Sequence, residues 1–134
     1  MRSEKSLLIF LGTVPAGLSI FARLSTFGFF YLIGMITALF FGILHLIFLN
    51  DLQRYFNPSR STHRLMAWVG VLSFPLIFLF QFDLEEYKDS FYVYEFITGA
   101  HKSNFEFYAF YIAIFSALVY LVNLIFWKIK FKRA

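Results

Sequence analysis

The stretch "FGILHLIFLN", residues 41–50, places one imidazole in a run that is otherwise almost wholly apolar. A histidine can carry a proton, donate and accept hydrogen bonds, or ligate a metal. In a hydrocarbon-facing segment an ionisable side chain is by default a candidate for function. Four other hydrophilic residues lie in, or at the edges of, apolar stretches: Arg23, Gln81, Glu106 and Asn123. His45 and Asn123 each fall about five residues from the same end of their segments, so the sequence predicts a hydrogen bond between them. Its plain role is to pin two helices together. The sharper one makes His45 a proton relay or ligand. Arg23 shares a boundary with Gln81, Asp83 and Glu106, which predicts an ion pair from Arg23 to Glu106 or Asp83. A Glu106 drawn into the bilayer would bind a proton or a cation instead.

The usual carriers of enzyme chemistry are missing from the string. It has no glycine-rich phosphate loop, no paired histidines at metal-binding spacing, no serine elbow and no cysteine. The acidic residues 83, 85, 86 and 89 lack the spacing of a calcium loop. His63 and His101 fall on opposite sides of the expected bundle, which argues against a haem held by two histidines of one chain. The sequence therefore predicts no catalytic residue, no metal and no cofactor.

Composition sets the solvent. Of 134 residues, 60% are hydrophobic and 15% charged, against about one-quarter charged in an ordinary soluble domain. Residues 7–22, 24–50, 65–82 and 107–127 contain no Asp, Glu, Lys or Arg. A hydrocarbon core about 30 Å thick needs about 20 helical residues. Residues 7–49 as one helix would reach about 64 Å at about 1.5 Å per residue, so the chain must reverse within them. The turn is expected in "ARLSTFG", residues 22–28. Hydrocarbon leaves backbone polar groups unsatisfied, so each span must be a helix. The expectation is an all-α, integral membrane four-helix bundle of left-handed twist. It would form one transmembrane domain over residues 1–134, with spans at about 7–22, 28–49, 65–82 and 106–127 and an outer loop at 83–104. A competing reading takes residues 1–16 as a cleaved secretory signal, leaving three spans.

Charge orients the bundle. Nine cations (Arg2, Lys5, Arg54, Arg60, Arg64, Lys128, Lys130, Lys132 and Arg133) gather on one side with Glu4 and Asp51, for a net +7; the other side sums to −3. The positive side is cytoplasmic by the distribution of Lys and Arg in short flanks, so both termini are expected in the cytoplasm of a bacterial inner (plasma) membrane. Lys128, Lys130, Lys132 and Arg133 are expected to meet anionic lipid headgroups. No basic stripe on a soluble fold suggests nucleic acid. Trp68 and Trp127 near the inner boundary, with Tyr87, Tyr92, Tyr94, Tyr108 and Tyr111 near the outer one, read as interfacial belts.

Each span carries a stripe of small and polar residues, the kind of face that membrane helices turn towards one another. The stripes are Gly12, Ala16, Ser19 and Arg23; Tyr31, Gly34, Ala38, Gly42 and His45; Gly70, Ser73 and Gln81; and Glu106, Ala109, Ala113, Ser116, Tyr120 and Asn123. Pro15 and Pro75 would kink their helices or free a carbonyl for a neighbour. Asn57-Pro58 predicts a turn, with Ser61 or Thr62 capping the third helix. In the outer loop, Asp83 with Glu86 fits a capping box, and Leu84, Tyr87, Phe91 and Tyr94 share a face, which favours an amphipathic interfacial helix ending at Gly99; "FYVYEFI" is also rich in strand formers.

The functional expectation is a small multi-pass membrane protein that works by assembling, with copies of itself or as an accessory subunit of a membrane complex. The alternative is a small oligomeric channel or transporter whose path is lined by His45, Asn123, Arg23 and Glu106. Activity on a lipid at the inner interface comes third.

Overall fold

The computed structural model describes residues 2–25, 31–80, 82–83, 91–92 and 106–131. Among the described residues four helices carry the fold: α1 (Arg2–Ser25), α2 (Tyr31–Tyr55), α3 (Ser61–Leu79) and α4 (Glu106–Phe131). All four are long and apolar enough to cross a membrane, over 22, 24, 19 and 23 residues respectively. The reversal expected within the first 49 residues falls between Ser25 and Tyr31. The hydrophilic "RLS" ends α1 there, and residues 26–30 lie outside the described residues.

Several boundaries differ from expectation. α2 continues past Asn50 to Tyr55 and so takes Asp51 and Arg54 into the helix. α3 starts at Ser61, four residues before the expected span, and α4 continues to Phe131 with Lys128 and Lys130 in its last turn. Charge-free windows mark where hydrocarbon is tolerable, whereas helices continue into the polar boundary as long as each residue keeps its backbone bond. The turn at Asn57-Pro58 forms as expected. Asn57 Oδ1 accepts from the Ser59 amide at 3.0 Å and the Asn57 carbonyl accepts from the Arg60 amide at 3.2 Å, the Asx-turn geometry that suits an Asn before Pro. The cap of α3 is different. Arg60 is the N-cap, in extended conformation and without a side-chain cap bond, while Ser61 is already helical.

The interfacial helix expected after α3 is not what forms where the chain is described. Phe82–Asp83 (β1) and Phe91–Tyr92 (β2) pair antiparallel, with Phe82 opposite Tyr92 and Asp83 opposite Phe91. Extended backbone at Asp83 and Phe91 is incompatible with one helix carrying both. Aromatic residues suited to a pleated strand prevail here over the 3.6-residue pattern. The proposed cap partner Glu86 and the helix end at Gly99 lie outside the described residues.

α3 is the hub of the bundle. It packs along α1 on one side and α4 on the other, while α1 also packs along α2. Between α2 and α4 the space is bridged by large rings, with Phe41, His45 and Phe48 of α2 facing Tyr120 and Trp127 of α4. The predicted stripes turn inward on every helix. Gly12, Ala16, Ser19 and Arg23 are buried on α1; Gly34, Ala38 and His45 on α2; Gly70 and Ser73 on α3; and Ala109, Ser116, Tyr120 and Asn123 on α4. The opposite faces, such as Ile36, Leu39, Ile43 and Leu46 on α2 or Phe115, Leu118, Val122 and Ile125 on α4, are exposed. Phenylalanine serves both roles, with Phe48, Phe74 and Phe78 in the core and Phe10, Phe21 and Phe126 on the surface. Pro15 and Pro75 both lie inside unbroken helices.

Two bonds fix which ends lie together. Arg64 Nε donates to Glu4 Oε1 at 2.8 Å, joining the starts of α1 and α3. Asn123 Nδ2 donates to the Met66 carbonyl at 2.9 Å, joining the last part of α4 to the first part of α3. The start of α1, the α2–α3 turn and the end of α4 therefore share one end of the bundle, the basic one.

Candidate functional site

His45 lies where α1, α2, α3 and α4 converge, and is only 3% exposed. Three features of the chain hold it. The 3.6-residue period of α2 carries it inward with Ala38 and Gly34. Its Nε2 lies 2.8 Å from the Gly12 carbonyl of α1, and its Nδ1 lies 2.8 Å from the Tyr120 hydroxyl of α4. Its ring stacks on Phe74 of α3, with centroids 3.9 Å apart and planes 21° apart.

The partners set the tautomer. A carbonyl can only accept, so Nε2 carries the hydrogen and donates to Gly12; Nδ1 is then the acceptor, and the Tyr120 hydroxyl donates to it. Both ring nitrogens are satisfied with no net charge, which suits a group removed from water. The Gly12 oxygen has a second lone pair for this bond beside its helical one. Tyr120 is walled in turn: Phe74, Phe41 and Phe48 lie 5.4, 6.2 and 6.3 Å from its ring centroid. Side chains thus fill the space around His45, and the constellation ties three helices together.

The expected bond between His45 and Asn123 does not form. Asn123 lies one turn beyond Tyr120 on α4, but its amide turns to the Met66 carbonyl of α3. Both ring nitrogens of His45 are already taken, by Tyr120 and the Gly12 carbonyl, and the Asn123 amide is taken by Met66. Gly70 helps both groups to their places. A Cβ there would run into the Phe48 ring and would lie 2.9 Å from Asn123 Nδ2, so its absence admits a ring from α2 and an amide from α4 at the same level of α3.

At the opposite end from the Glu4–Arg64 pair, Arg23 is 1% exposed. Its guanidinium lies over Gly34 of α2, in space that any Cβ at position 34 would occupy. Arg23 is therefore an interior residue of the α1–α2 contact. Gln81 and the side chains of Asp83 and Glu106, its expected partners at this boundary, lie outside the described residues.

Two residues expected near the basic end lie there, His63 in the first turn of α3 and Trp127 near the end of α4, and both are buried against neighbouring helices. His63, expected at the water boundary, is 4% exposed, and Trp127, expected in an interfacial belt, is 1% exposed. Their ring centroids lie 6.1 Å apart with planes tilted by 60°. The Asn57 backbone amide donates to His63 Nδ1 at 3.3 Å, which ties the α2–α3 turn to α3. The signal for His63 was present: stepping back from Gly70 by 3 and 4 along α3 gives Ala67 and His63, both buried with it. Among the described residues, no group of three or more His, Cys, Asp or Glu could hold a metal ion. The chain matches no protein-family model, no curated protein and no solved structure.

Proposed function

We propose that this protein is a multi-pass membrane subunit that works by assembly, with copies of itself or with other membrane chains. One observation supports it most: the interior around His45 is packed with side chains whose polar atoms bond one another, which leaves the outer faces as the surface through which the chain can act. Those faces are broad and apolar on α2 and α4, and among the described residues His45 is buried at 3% exposure. The basic end, with Lys5, Arg54, Arg60, Arg64, Lys128 and Lys130, is the cytoplasmic one in this reading, and the host membrane is a bacterial inner membrane.

The test is the oligomeric state of the detergent-purified protein, with reconstitution into vesicles alongside. Assembly predicts a defined oligomer or co-purifying membrane chain and no ion flux. Conduction through vesicles that His45→Ala alters in its pH dependence would replace this reading with a channel. Cysteines placed at Ser59 and Ser6 should be labelled from the cytoplasmic side only.

A further inference from the structure

We draw no further inference here: the strongest candidate, the apolar depression on the outside of the bundle between α3 and α4, bordered by Met66 and Val69 on one side and by Phe115, Val119 and Val122 on the other, is an unpartnered face, and nothing in the structure shows what covers it.

Discussion

Tyr120 of α4 donates its hydroxyl hydrogen to Nδ1 of His45 on α2 across 2.8 Å, and Nε2 of the same imidazole continues to the Gly12 carbonyl of α1. Three helices thus meet through one neutral ring. Tyr120→Phe leaves Nδ1 buried without its donor and should destabilise the protein by about 1 kcal/mol. His45→Ala strands the Gly12 oxygen and the Tyr120 hydroxyl and opens a void beside Phe74, so its cost should be at least about 2 kcal/mol. In a double-mutant cycle by unfolding in detergent micelles, His45 and Tyr120 should couple by about 0.6 to 1.7 kcal/mol. The Asn123→Ala cycle with His45 should show coupling below about 0.5 kcal/mol, because the two share no hydrogen-bond partner. Strong coupling to Asn123 and none to Tyr120 would reverse the assignment.

Glycines separate close approach from mere helix membership. Gly70 sits against Phe48 and Asn123, and an added Cβ must displace one of them. Gly70→Ala should cost about 1 to 3 kcal/mol by overpacking. At Gly17 a Cβ would meet nothing within 4 Å, so Gly17→Ala should be neutral or stabilising by up to about 1 kcal/mol through helix propensity. Thermal unfolding of the two variants side by side checks the contrast, and similar behaviour at both positions would contradict the packing.

What could be read from the residue string follows a physical division. The inward faces were legible because small and polar residues repeat at helical spacing, and that periodicity is local: Gly12, Ala16, Ser19 and Arg23 need no knowledge of any other helix. Partners were not legible, because they depend on the distance between helices. His45 and Asn123 fall at similar distances from their segment ends, yet Tyr120, one turn away on α4, is the residue that meets His45. The inner and outer limits of the bundle were also blurred. Trp127 and His63 lie near the basic end as expected, but that both are buried there depends on the neighbouring helices and is not written in either segment. The pairing of Phe82–Asp83 with Phe91–Tyr92 lost to a helical pattern because both periods can be drawn through "EEYKDSFYVY".

Tryptophan emission offers an independent check on the basic end. Trp127 is 1% exposed and packs against Phe48 at 5.4 Å and His63 at 6.1 Å, whereas Trp68 is only partly buried. With Trp68→Phe leaving Trp127 as the sole indole, a water-soluble quencher such as iodide should act weakly. With Trp127→Phe leaving Trp68, whose partly exposed ring faces lipid in the membrane reading, a brominated acyl chain should quench more strongly than it quenches Trp127. The same Trp127→Phe change should also lower stability, because the larger ring fills the space between α2, α3 and α4. Equal quenching of the two indoles by the lipid-phase quencher would contradict the burial of Trp127 between α2, α3 and α4.

The Glu4–Arg64 pair invites more weight than its surroundings allow. The bond is short, 2.8 Å, and joins the starts of α1 and α3, but the two side chains are 24% and 54% exposed. Water and salt screen such a pair, and holding two long side chains in one geometry costs entropy, so its net contribution should be about 0 to 1 kcal/mol. Glu4→Gln and Arg64→Gln should each change stability by less than about 1 kcal/mol, and raising salt to about 1 M, where the screening length is about 3 Å, should erase the difference from wild type. The bundle is held by its interior: the Glu4→Gln protein should unfold with the cooperativity of the wild type, whereas His45→Ala should not retain wild-type stability at any salt concentration. A Glu4→Gln variant weaker than His45→Ala would mean that α1 is anchored at its end and not through the Gly12 carbonyl.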